Sequence, residues 1–139
     1  AVAYNFNQAL NDWDVSNVTN MSLMFYNTNN FNQPLNNWDV SNVTNMAWMF
    51  AYASNFNQPL NNWNVSNVTS MGLMFYKATA FEKRFNNEKP LPEDTNNLKV
   101  WFNSDKMLAI DIKEKEKDNL DSFYNNLESL YNNLDKENN

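Results

Sequence analysis

Phe31-Asn32-Gln33-Pro34-Leu35-Asn36-Asn37-Trp38-Asp39-Val40-Ser41-Asn42-Val43-Thr44-Asn45-Met46 is a passage that the chain states once before and once after in nearly the same letters. Phe6, Phe31, Phe56 and Phe81 are evenly spaced, as are Trp13, Trp38 and Trp63, and each step is 25 residues. A fixed period of about 20–50 residues marks a chain built from one unit that cannot bury its own apolar side and stacks on its copies to do so. The passage therefore predicts a tandem stack in which matching side chains of successive copies rest on one another.

Working outward from it, Val43, Met46, Met49 and Phe50 fall at i, i+3, i+6 and i+7, as do Val18, Met21, Met24, Phe25 and Val68, Met71, Met74, Phe75. That spacing predicts a short helix with one apolar face. Its start is signalled by the Asn and Thr of Ser16-Asn17-Val18-Thr19 and its copies, whose oxygens can accept orphan backbone N–H groups. The same letters are glycosylation sequons, read here as caps. The segment from Phe31 to Val40 predicts a bent strand: Pro34 and Pro59 lack a donor and suit a strand's start or edge, and Leu35, Trp38 and Val40 keep no strict alternation. One helix and one returning strand per copy implies a parallel sheet on one side and helices on the other.

The chain has 139 residues, and its polar remainder is asparagine more than charge: 42% of residues are apolar, 15% aromatic and 19% charged, with a mean hydropathy of −0.72. It should fold. From Ala1 to Tyr76 the only charged side chains are Asp12, Asp14 and Asp39, and every Lys and Arg lies at Lys77 or later. No basic stripe meets phosphates, which argues against nucleic acid and anionic membrane surfaces. With no Cys and no His, thiol nucleophiles, imidazole bases and the usual zinc and haem ligands are removed together, so no cofactor, no metal and no catalytic residue is expected. No apolar run is long enough to span a bilayer. Starting at Ala1 and mid-repeat, the chain reads as a processed or excised piece whose targeting signal, if any, lies outside it.

The tandem copies occupy 1–87. From Phe81 the pattern decays, and 88–112 reads as a degenerate last coil, with Leu98, Trp101 and Phe102 aligned on Met71, Met74 and Phe75, then Leu108 and Ile112 in the Phe31 and Leu35 roles. A β-hairpin of Leu98–Phe102 with Leu108–Ile112 is the rival reading. Over 113–139, Leu120, Phe123, Leu127, Leu130 and Leu134 form a heptad-like stripe that predicts a helix, either capping the stack or driving self-association into a homo-oligomer.

The string Trp-Asp-Val-Ser-Asn-Val-Thr-Asn-Met at Trp13 to Met21 and Trp38 to Met46, followed by Met24-Phe25 and Phe31-Asn32-Gln33, resembles the 25-residue repeats of bacterial surface proteins and lipoproteins, best known from mycoplasmas. These are similar to the leucine-rich repeat, especially its BspA-like branch. The resemblance implies an α/β solenoid, a leucine-rich-repeat-like stack of about five coils, each a short helix plus a parallel β-strand, with a C-terminal amphipathic helix. It further implies a cell-surface or extracellular place, with a role in adhesion or host interaction and a protein or glycan as partner. It carries no catalytic residue onto this chain.

The candidate binding residues are Asn7, Asn32 and Asn57, together with Asn36 and Asn61, as a neutral polar face; the equal alternative is an Asn ladder bonding its own backbone. Trp48, with Leu23 and Leu73 in the same repeat position, lies off the apolar stripe and forms a surface row able to receive the terminal helix or a partner. Trp13, Trp38 and Trp63 read as core packing before a sugar-stacking row. Asp14 and Asp39, with Asn64 as the third copy, read as turn caps before a cation site. The expected function is a non-enzymatic binding or adhesion module for a protein partner, the alternative being a carbohydrate-binding module using the same face.

Overall fold

The computed structural model describes residues 3–138; Ala1, Val2 and Asn139, at the outer ends of the first and last predicted segments, lie outside them. Two compact units divide the chain, Ala1–Leu108 and Ala109–Asn139. In the first, the repeats form neither helix nor strand over residues 3–78. Each coil is a chain of tight turns: in the middle copy, the N–H of Trp38 bonds Leu35 O, Val43 bonds Val40 O, Met49 bonds Met46 O, Ala51 bonds Trp48 O and Ala53 bonds Phe50 O, at 2.9–3.3 Å. The turns place Phe31, Leu35, Trp38, Val40, Val43, Met46, Met49, Phe50 and Ala53 inside, each at most 2% exposed.

The expected helix plus parallel strand per coil is thus overturned, and with it the α/β solenoid of leucine-rich-repeat type. Among the described residues the only helices are α1 (Thr79–Phe85), α2 (Thr95–Asn103) and α3 (Lys106–Asn138). Strand pairing shrinks to two isolated parallel bridges, Asn20 with Asn45 and Asn45 with Ser70. The physical reason is a left-handed residue at every fourth position of the Met-rich segment: Leu23 and Asn27, Trp48 and Tyr52, Leu73 and Lys77 all have φ between 57 and 62°. Such a residue breaks an α-helix. It also completes a type of four-residue turn that returns apolar positions inward at i, i+3, i+4 and i+7, here Met46, Met49, Phe50 and Ala53, the same stripe that a helix would give.

Backbone groups in this segment are shared out by alternation. The N–H groups of Met46, Trp48, Phe50 and Tyr52 reach Ser70, Gly72, Met74 and Tyr76 carbonyls on the next coil at 2.7–3.1 Å, and the carbonyls of Asn45, Ala47, Met49 and Ala51 accept Met21, Leu23, Phe25 and Asn27 N–H from the preceding one. The groups in between close the turns within the coil.

Phenyl rings fill the interior in two columns. Phe25, Phe50 and Phe75 stack at 5.4 and 5.6 Å; Phe6, Phe31, Phe56 and Phe81 stack at 5.8–5.9 Å; and within a coil the columns meet face to face at 4.2–4.3 Å. Trp38 and Trp63 lie parallel at 6.5 Å, and each turns its Nε1–H onto a carbonyl 28 residues back, Leu10 at 2.8 Å and Leu35 at 2.9 Å. Trp13 is 58% exposed.

The columns end on α2. Its Trp101 ring meets Phe75 and Phe81 at 6.4 and 5.9 Å, and Phe102 meets Phe75 at 6.0 Å. Asp94 caps this helix by accepting Asn97 N–H at 3.0 Å, and Lys99 Nζ bonds the Ser66 and Val68 carbonyls at 3.2 and 2.9 Å. Residues 98–102 and 108–112 being helical, the β-hairpin does not form. In the second unit, the helix α3 exposes Leu120, Phe123, Leu127, Leu130 and Leu134 by 40–60%.

Candidate functional site

The five asparagines singled out as candidates are brought into two columns; the side-chain amides of Asn7, Asn32, Asn36 and Asn61 are engaged between coils, and Asn57 joins through its backbone. Asn7 Oδ1 accepts Asn32 N–H at 2.9 Å and Gln33 Nε2 at 3.1 Å; one coil on, Asn32 Oδ1 accepts Asn57 N–H at 3.0 Å and Gln58 Nε2 at 2.9 Å. Asn36 Nδ2 donates to Asn61 Oδ1 at 3.2 Å, while Asn36 Oδ1 accepts Asn62 N–H at 2.9 Å. A side-chain amide supplies both a donor and an acceptor, so it can pass a bond along the stack where a charged residue would meet its own copy. Asn42 and Asn67, of the sequons, donate to Ser16 and Ser41 carbonyls at 2.8 and 2.7 Å.

The Asp positions are caps. Asp14 Oδ1 accepts Ser16 N–H at 3.0 Å and Ser16 Oγ–H at 2.6 Å, Asp39 does the same for Ser41, and Asn64 Oδ1 accepts Ser66 N–H at 3.0 Å. The Ser16 and Ser41 side-chain and backbone donors hold both carboxyls below the usual aspartate range. Among the described residues no group of three or more acidic side chains gathers as a metal site would need.

Trp48 stands apart, away from the Asn columns. Its ring meets Tyr26 edge-on at 6.3 Å and 71°, and Tyr76 at 6.1 Å and 77°. Tyr52 meets the same two tyrosines at 5.8 Å and 84° and at 5.5 Å and 88°. Four rings from three coils therefore form one edge-to-face array, partly open to solvent, whereas the interior rings lie nearly parallel. Lys77 Nζ continues it, 5.8 Å from the Tyr76 centroid, and the 54% exposed Leu23 occupies Trp48's position one coil earlier.

The three tyrosines are not evident from the repeat. Tyr26 and Tyr76 share one repeat position with Ala51 between them, and Tyr52 belongs to the next position, with Asn27 and Lys77. The small, fully buried Ala51 leaves the gap on the outer side that Tyr52 spans. Its irregular spacing is the one signal that could have marked the array.

At the far end of the stack, a cleft of about 180 Å³ is lined by Leu73, Tyr76, Lys77, Glu82, Leu91 and Glu93 with neighbours. Asn86 donates from Nδ2 to the Lys89 and Pro90 carbonyls at 3.0 and 3.2 Å, and Pro90 is part of the lining. Burial pushes the Glu82 carboxyl up, with the Lys77 charge opposing.

The family described as "Mycoplasma protein of unknown function, DUF285" matches residues 1–115. The chain belongs to this family. The match covers the repeats and runs past α2, so DUF285 membership agrees with the mycoplasma-type repeat read from the letters. No curated protein and no solved structure is significantly similar to the chain. Among the described residues no helix is long and apolar enough to cross a membrane.

Proposed function

We propose that this DUF285 chain is a non-enzymatic binding module of a bacterial cell surface, and that the edge-to-face array of Tyr26, Trp48, Tyr52 and Tyr76 is its contact face for a protein partner. The array is the observation that carries the reading. Trp and Tyr supply large, rigid contact area with a polar tip, and they dominate the energetics of protein interfaces. Here they are held in place by each other and by the coil: Trp48 and Tyr52 both occupy the left-handed region, at φ 59 and 60°, where a bulky residue persists only when its surroundings fix it. The Asn columns, spent on joining coils, serve as the frame.

The surface setting rests on the resemblance of the Trp-Asp-Val-Ser-Asn-Val-Thr-Asn-Met string to repeats of bacterial surface proteins; descent shared with the BspA-like branch is part of the same proposal. Glycan binding is the second reading, favoured by the partly exposed aromatic rings of the array. In the test, labelled chain is applied to intact epithelial cells with and without trypsin or glycosidase treatment. Binding that trypsin abolishes, and that Trp48→Ala with Tyr52→Ala weakens at least about tenfold, supports the protein reading. Loss on glycosidase treatment alone selects the glycan, and equal binding by the double variant removes the array from the interaction.

A further inference from the structure

The stack has an end at which its own bonding pattern is left half complete. In the middle coil, four alternate N–H groups, those of Met46, Trp48, Phe50 and Tyr52, all meet carbonyls of the next coil. One coil on, the first two are served by the chain beyond: Met71 N–H donates to Thr95 Oγ1 at 3.0 Å and Leu73 N–H to Glu93 O at 2.8 Å. The next two, Phe75 and Lys77, find no hydrogen-bond partner for their N–H among the described residues. The cleft lies along this same edge, with Leu73, Tyr76 and Lys77 in its wall.

Opposite stands Glu82, in the repeat position of Asn7, Asn32 and Asn57. Asn7 and Asn32 each accept an N–H and a Gln amide from the following coil. The Glu82 carboxyl accepts no hydrogen bond among the described residues, although the residue as a whole is only 9% exposed. Its carboxyl lines the cleft, where a cation with hydrogen-bonding protons would stabilise the charged form. Two free donors at i and i+2 along a chain edge are the complement of an extended backbone, the arrangement by which a peptide adds to an open edge.

We propose that this cleft binds an extended segment of a partner polypeptide carrying a Lys or Arg, whose carbonyls two residues apart accept the Phe75 and Lys77 N–H groups while the cation meets Glu82. The segment takes the place that one more coil would occupy, so the site continues the interface already repeated between the inner coils. A small amine would satisfy Glu82 and leave both backbone donors bare. Glu93, in the same wall, adds a second negative charge, and Lys77 Nζ is drawn over the Tyr76 ring. Tyr76 belongs both to the aromatic array and to the cleft wall, but the donors and the carboxyl invoked here lie outside the array.

The test pans a phage-displayed random heptapeptide library on the whole 139-residue chain, followed by calorimetry and ¹⁵N-resolved NMR with the most enriched peptide, acetylated and amidated at its ends. Selected peptides should share one Lys or Arg, and affinity should fall at least about tenfold with Glu82→Gln. The Phe75 and Lys77 amide protons of the unaltered chain should move downfield. The Phe75 and Lys77 shifts are read on the unaltered chain with a peptide, so a failure here is distinguishable from a failure of the cell-binding proposal, which is read on whole cells. The inference is overturned if no peptide is enriched, if Glu82→Gln binds equally well, or if the Phe75 and Lys77 signals stay in place. Since the NMR readout uses the native chain, it stands even if a variant misfolds.

Discussion

Trp63 and Trp101 are both buried, yet the same change should move stability in opposite directions. Trp63 Nε1–H is bonded to Leu35 O, whereas Trp101 Nε1 is buried with no partner among the described residues. Leaving a buried carbonyl unpaired costs about 1–3 kcal/mol and removing an orphan donor recovers part of such a penalty. Trp63→Phe should therefore lower the urea midpoint, and Trp101→Phe should hold or raise it. A second substitution probes backbone strain. Leu23 is 54% exposed at φ 62°, so Leu23→Gly gives up little packing. Relief of about 1–2 kcal/mol at the left-handed position, less about 0.4–1 kcal/mol for the greater freedom of glycine in the unfolded chain, leaves a gain of up to about 1.6 kcal/mol by urea denaturation. Titration separates two further residues by sign. Glu82 holds its proton more tightly when folded, so its contribution opposes folding above its raised pKa and fades as pH falls toward the ordinary glutamate range. Glu82→Gln should flatten that part of the thermal stability profile between neutral and mildly acidic pH.

Elements are where the letters and the structure part company. The i, i+3, i+7 spacing of the Met-rich segment was legible, as was the inward direction of Met46, Met49 and Phe50; the backbone joining them was not. Two left-handed residues per copy convert a helical stripe into linked turns, and they escape notice because Leu, Trp, Tyr and Lys hold them where glycine would have announced them. Strand-like reading of Phe31 to Val40 failed for a related reason: Leu35 to Trp38 and Val40 to Val43 are turns whose first and last residues face inward. Within α2 the signals are conventional. Asp94 accepts Asn97 N–H, and the Asn97 backbone and side-chain bonds hold its carboxyl below the usual aspartate range. The carboxylate therefore stabilises the helix at neutral pH, an effect lost as pH falls below about 3.9 and through the lowered value. Asp94→Ala should lower the melting temperature at pH 7 and narrow its gap from the parent at pH 3, measured by far-UV circular dichroism.

For the whole molecule, the phenyl columns make cooperativity a matter of neighbours. Phe56 is fully buried, between Phe31 and Phe81 in its column and against Phe50 in its own coil. Phe56→Ala should cost about 3–5 kcal/mol, and loss should spread to adjacent coils as it does in repeat arrays. Hydrogen exchange should show Met46, Phe50 and Tyr52 amides protected and Phe75 and Lys77 amides fast, since only the former have partners on a following coil. The letters alone determined that copies 25 residues apart pair like with like, because an apolar side repeated at a fixed interval has only its own copies to bury it against. They left the repeated asparagines evenly open between a recognition face and a ladder bonding its own backbone, and the inter-coil bonds of Asn7, Asn32 and Asn36 came from the structure. Only the tertiary structure decided that the coil is made of turns, that Tyr26, Tyr52 and Tyr76 gather around Trp48, and that donors and a carboxyl are left open beyond the last coil. Those outcomes depend on which backbone groups the neighbouring coil accepts, a choice made across space and invisible along the chain.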